Sequence, residues 1–183
     1  MIQTLLSRAS VNGFTEPGPN DEELRLIFEA ALRAPDHGRL RPWRFILIRG
    51  AGRNRLSDLY VASLLRRKPA ASEGEIEKTR AKPLRSPVVI AVAARIAEGH
   101  KIPAIEQALS AGAAAMNILN AVHALGYGAK WVTGDVCYDA DFRAALGLAP
   151  ADQLVGFIHV GTPADAAEPV ERPDPADFVD EWN

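Results

Sequence analysis

One cysteine, Cys137, is the entire thiol complement of the 183-residue chain. That excludes an intrachain disulfide and a cysteine-built zinc site, and makes a reducing, cytoplasmic setting the expectation. An excess of one charge is missing as well. Lys and Arg number 21 against 23 Asp and Glu, a formal net charge of -2, so no global basic field invites nucleic acid. No apolar run reaches the roughly 20 residues that cross a bilayer, and Met1 to Arg8 is too short and too charged at its end for a secretory signal; no membrane partner is expected. Internal repeats and low-complexity segments are absent. So are a G-x-G-x-x-G after a strand, a G-x-x-x-x-G-K-[ST] and a G-x-S-x-G elbow. His37, His100, His123 and His159 are scattered, with no H-x-x-x-H or H-E-x-x-H pair for zinc. A chain of this size lacking nucleophile and metal signatures suits an organic cofactor, with the protein supplying placement and electrostatics.

What is present reads as one domain over residues 1–183, with 48% hydrophobic and 24% charged residues. Ile2 to Arg8 has helical apolar spacing and leads Arg8 and Ser10 into a turn-rich loop. Asn20-Asp21-Glu22-Glu23 is a helix start with a cap and a carboxylate at the third position. Leu24, Ile27, Phe28, Ala31 and Leu32 then share one face, and Pro35 stops the helix beyond Arg33. Gly52 to Arg67 and Glu73 to Lys82 are charged, helix-compatible segments, expected to be solvated and to include a flexible lid. Pro87 to Ala94 is a continuous apolar run, the pattern of a strand buried on both faces.

The spacing predicts a long helix from Ile105 to Leu125. Its first half concentrates Ala108, Ser110, Ala111, Gly112, Ala113, Ala114 and Ala115, so it should pack closely against a sheet or its own copy. Met116, Leu119, Val122 and Leu125 continue the buried face. Ala129 to Gly134 reads as a strand ending in a turn, Asp139 to Leu146 as a short helix, and Leu154 to Gly161 as another strand. The tail over 163–183 has four prolines and two aromatics, Phe178 and Trp182, and is expected to be extended and docked.

The stretch Ala34 to Phe45 leaves a helix, turns through His37, Arg39 and Arg41, and enters an apolar strand, a geometry fit to receive an anion. Arg8 and Ser10 admit two readings: a favourable helix C-terminus with a polar turn, or a guanidinium fork and hydroxyl that grip a phosphate together. Arg8-Ala9-Ser10, then Arg33-Ala34-Pro35-Asp36-His37 before Pro42-Trp43-Arg44-Phe45, the small-residue helix around Gly112, and Trp131-Val132-Thr133-Gly134 together resemble the nitroreductase family. The similarity runs in order through Gly161-Thr162-Pro163 and Pro173-Asp174-Pro175, and is strongest to the compact bacterial branch of NAD(P)H nitroreductases.

That resemblance implies an α+β sandwich with a mixed central sheet flanked by helices, and a homodimer holding FMN at the subunit interface. It implies that Arg8, Ala9, Ser10, Trp131, Val132 and Thr133 contact the flavin from one subunit, with Arg33 and His37 approaching from the other. Ala121, Val122, His123, Ala124, Leu125 and Gly126 match a segment expected to meet the nicotinamide nucleotide. The implied activity passes a hydride from NAD(P)H through the flavin to a nitroaromatic, quinone or similar acceptor, with no catalytic acid or base demanded of the protein. The chain departs from the family pattern in three places. Asn12 stands where a basic residue is frequent, near the flavin atoms that gain charge on reduction. Arg41-Pro42-Trp43 replaces Gln-Pro-Trp, and Val132 replaces a branch arginine. The Asn12 and Val132 departures motivate a rival, a flavin-holding carrier or interaction protein without NAD(P)H turnover. A more distant rival is a metal enzyme using Asp36 and His37.

Overall fold

The computed structural model describes residues 2–165 and 171–182. Helix α1 (Ile2–Ser7) leads through a loop to the short strand β1 (Phe14–Thr15), followed by α2 (Asp21–Ala31). Asn20 caps α2 as its sequence predicts: its side chain accepts from the Glu23 N–H at 2.9 Å while the Glu23 carboxylate accepts from the Asn20 N–H at 2.8 Å. Leu24, Ile27 and Ala31 are buried and Phe28 packs beside them. Leu32, expected on that face, is 52% exposed, because the helix has ended at Ala31 and residue 32 turns away as the C-cap.

Strand β2 (Trp43–Arg49), helices α3 (Ala51–Arg67) and α4 (Glu73–Arg80), and strand β3 (Val88–Ala94) come next. The long helix α5 (Ala104–Ala124), strand β4 (Gly128–Val132), helix α6 (Ala140–Ala145) and strand β5 (Gln153–Pro163) complete the body. The strands line up as β2-β3-β5-β4, with β1 pairing the last residues of β5. Val160 pairs with Val88 on one side and Ala129 on the other, which places β5 between β3 and β4. Every described pairing is antiparallel, which corrects the expectation of a mixed sheet. An unbroken apolar run signals burial on both faces, not strand direction, and here helices cover both faces of an antiparallel sheet.

The alternation along β3 divides the core. Val88, Ile90 and Val92 face α2 and α5, while Val89, Ala91 and Ala93 face α3 and α6. On α5 the small residues do two jobs. Ala111, Ala114 and Ala115 are fully buried with Ile118 and Val122. Gly112 points the other way, with nothing within 4 Å of where a Cβ would stand. Met116, predicted on the buried face, is 39% exposed on that same outer side. Helix α3 is less solvated than its charges imply, burying Leu56, Ser57, Tyr60, Val61 and Ser63. Its C-terminal end is pinned by ion pairs from Arg66 to Asp139 at 2.7 Å and from Arg67 to Asp135.

Among the described tail residues, Arg172 donates to the Arg8 carbonyl at 2.9 Å, and Pro175–Asp177 forms a 3-10 turn. Phe178 and Trp182 stay exposed on the single chain. Among the described residues no helix is long and apolar enough to cross a membrane.

Candidate functional site

The loop after α1 lies along β4. The Val11 N–H donates to the Ala129 carbonyl at 3.1 Å, and Lys130 Nζ donates to Asn12 Oδ1 at 2.6 Å. These two bonds draw together the segments Arg8–Ser10 and Trp131–Thr133, which are far apart in sequence. Two clefts open on either side of the seam.

The first cleft, of about 230 Å3, is lined by Arg8, Ala9, Val11, His123, Gly126 and Tyr127, among others. Arg8 Nε is buried here with no hydrogen-bond partner among the described residues. A desolvated, unpaired guanidinium N–H costs about 1–3 kcal/mol; Arg53 Nε and Arg143 Nε are left in the same way, but Arg8 is the one of the three that lines this cleft. His123 sits close by, its Nε2 at 2.9 Å from Ser7 Oγ. Of the segment 121–126, only His123 and Gly126 line this cleft; Val122 is fully buried in the core, so its side chain is unavailable to a ligand. Ala121 and Leu125 pack against the same core, and Ala124 is exposed.

The second cleft is larger, about 500 Å3, and is built on the other face of β4 and β5. Val132 and Thr133 line it with Asn12, Lys130, Tyr60 and His159. Alternation explains the choice: Lys130 and Val132 point into the cleft, whereas Trp131 points into the core, its indole N–H donating to the Val155 carbonyl at 3.3 Å. The side chain of Trp131 therefore holds the strand rather than the cleft wall. Ser10 is exposed beside the seam and lines neither cleft.

Cations dominate the rim of the larger cleft. Arg67, Lys82, Arg85 and Lys130 are there, against one carboxylate, Asp135, which Arg67 already pairs. His159 is 7% exposed, and its Nδ1 meets the Ser86 hydroxyl at 2.8 Å. Burial, then the positive charges of Arg85 and Lys130, push its pKa down to about 4, so the ring is neutral at pH 7. Burial likewise raises the Tyr60 phenol and the Cys137 thiol. Tyr60 is thus a hydroxyl donor, and Cys137 an inert packing residue rather than a nucleophile.

Arg33 and His37 lie elsewhere. Arg33 is exposed just past α2, and His37, at the head of a 3-10 turn, places its Nδ1 2.6 Å from Glu106 at the start of α5. The turn is held by Asp36, whose carboxylate accepts from the N–H groups of Leu40 at 3.0 Å and Arg41 at 2.9 Å. Those bonds stabilise the left-handed backbone of Arg39 and Arg41, φ 56° and 51°. Among the described residues no three metal-ligating side chains converge. Lys130, His159, Lys82 and Arg85 were not singled out by motif. Two of them had a signal: a lysine inside an apolar strand and a histidine inside another, each at the period that faces the larger cleft.

Comparisons with known proteins agree with this architecture. A protein of Escherichia coli K12 named "Putative NAD(P)H nitroreductase YdjA" is 37% identical over 179 residues, covering 97% of each chain. A crystal structure of a nitroreductase-like family protein from Bacillus cereus superposes with a TM-score of 0.85 at 25% identity, over 99% of this chain and 95% of that one. Another, described as "a putative nitroreductase in complex with fmn" from Desulfovibrio desulfuricans, gives a TM-score of 0.74 at 29% identity, over 100% and 96%. The model of the nitroreductase family matches residues 5–162, and the chain belongs to that family.

Proposed function

We propose that this protein is a cytoplasmic FMN-dependent oxidoreductase that takes a hydride from NAD(P)H and delivers it to a nitroaromatic, quinone or similar acceptor. It would work as a homodimer with FMN at the subunit interface. The observation that carries the reading is the buried Arg8 Nε beside the β4 seam, without a partner among the described residues, a donor that a phosphate would satisfy. Support comes from the FMN-bound relative at 29% identity and from the larger cleft, roomy enough for a planar ring system.

When bound, FMN supplies the two-electron chemistry that links a nicotinamide to the acceptor. The chain's residues would hold and orient it. Arg8 and Ser10 grip the phosphate and ribityl end, and Thr133 with the backbone of Trp131 and Val132 meets the ring. Arg33 and His37, which lie away from both clefts of their own chain, reach the flavin of the second subunit. Within segment 121–126, His123 and Gly126, which line the first cleft, would be the members that meet the nicotinamide nucleotide. Tyr60 presents a protonated hydroxyl, and neutral His159 adds no charge of its own.

The test begins with purified protein mixed with FMN and desalted. It should be yellow and dimeric, and anaerobic NADH or NADPH should bleach it within minutes. A colourless monomer that never retains FMN would end this reading. A yellow dimer bleached by neither nucleotide would favour the rival, a flavin-holding protein without NAD(P)H turnover.

A further inference from the structure

Lys130 is the cation that the family-level pattern does not place. It projects from β4 into the larger cleft, one residue before the Trp131–Thr133 segment, and is held by Asn12 two residues after Ser10. Its ammonium is therefore fixed where both candidate flavin-binding segments converge. Among the described residues it forms no ion pair; its hydrogen-bond partner is the neutral carboxamide of Asn12. The other rim cations are placed differently: Arg67 is neutralised by Asp135, and Lys82 and Arg85 belong to the turn before β3. A lysine half out of water with no counter-ion is poised to gain from a negative charge that arrives later.

We infer that Lys130, positioned by Asn12, is the residue that stabilises the negative charge of the reduced flavin ring in this protein. The two residues exchange roles relative to the family pattern: position 12 gives up its own cation and becomes the clamp for one supplied by β4. This rests on the flavin reading above. The charge balance is simple. Neutral FMN ring plus the hydride from NAD(P)H gives a ring with two more electrons and one more proton, carrying one net negative charge, and NAD(P)+ leaves. A nearby ammonium favours the reduced form over the oxidised one, so it acts on potential more than on binding of the oxidised cofactor.

The experiment measures the two-electron midpoint potential of the FMN-loaded dimer by equilibration with reference dyes, for wild type, K130M, K130Q, K130R and N12A. Loss of the charge in K130M or K130Q should weaken the preference for reduced over oxidised FMN by about tenfold, which is a shift of about 30 mV to more negative potential. K130R should stay within about threefold of wild type, and N12A, which frees the ammonium, should fall between. A preference unchanged within twofold in either FMN-loaded neutral variant overturns the inference. So does loss of FMN from both neutral variants with the fold intact, because Lys130 would then be a ligand of the oxidised cofactor. If the wild-type chain itself retains no FMN, the flavin reading falls first.

Discussion

Arg8 and His159 are both polar groups held out of water, and they differ in what the chain gives them. Among the described residues Arg8 Nε has no partner, so the native state carries its desolvation cost without return. Arg8→Ala should therefore weaken FMN binding at least tenfold, by titration of tryptophan or flavin fluorescence, while urea unfolding of the FMN-free protein shows stability unchanged or raised by up to about 1 kcal/mol. A fall in the FMN-free stability would mean that Arg8 is a structural residue. His159 is satisfied by Ser86 in its neutral form, and its folded pKa of about 4 lies below the ordinary 6.5. The unfolded chain then takes up the proton first as pH falls. The stability this group contributes is complete above about pH 6.5 and is lost as pH drops from there through 4, about 2 kcal/mol being gone at pH 5. Urea unfolding at pH 7 and pH 5 should show that difference, and His159→Gln should remove most of it. Neither property was legible from sequence. Arg8 already stood as a phosphate candidate, but that its Nε is orphaned depends on the fold, and His159 looked like an ordinary strand residue.

Strand β5 shows what an element-level pattern can and cannot reveal. The register between β3 and β5 slips where Val92 faces Gly156 and Ala93 faces Leu154, leaving Val155 as the extra residue of a bulge. The Val155 carbonyl accepts the Trp131 indole N–H, and Gly156, at φ 148°, lets that indole pass. A Cβ there would collide with Trp131 Nε1 and approach the Val132 carbonyl to 2.8 Å. Gly156→Ala should therefore cost about 1–3 kcal/mol in urea unfolding and shift the Trp131 emission, since the strand that carries Thr133 must move. An unchanged midpoint would mean the indole relocates freely and the bulge does not set the cleft wall. Strands β2 to β5, α2 with its capping box and α5 were readable because periodicity and caps are local signals, whereas the two-residue β1 carries no such signal. The bulge, the antiparallel directions and the seam between Asn12 and Lys130 were not, because each depends on which distant segment lies alongside. Leu32 and Met116 mark the same limit: helical spacing finds an apolar face, but only packing decides where the helix ends or which side a second partner takes.

At the scale of the whole molecule, α5 has two apolar sides and, among the described residues, only one is covered. Ala114, Ala115, Ile118 and Val122 bind the sheet, while Ile105, Leu109 and Met116 are 64%, 65% and 39% exposed. With Gly112 between them and open space above it, these residues form one stripe at helical spacing. A stripe with a glycine at its centre lets a second helix approach closely, and two copies crossing there would each cover the other. The start of this helix also carries Glu106, the partner of His37, so the same contact would carry His37 and Arg33 toward the neighbouring flavin. Leu109→Glu tests the arrangement without touching either cleft or the core. Burial of one leucine contributes about 1.5–3 kcal/mol, and a two-fold interface counts it twice, so the dimer should weaken at least a hundredfold. Light scattering at micromolar concentration should then report a folded monomer, with native circular dichroism and FMN lost on desalting. A variant that stays dimeric and yellow would move the interface off α5 and leave Arg33 and His37 without a route to the cofactor.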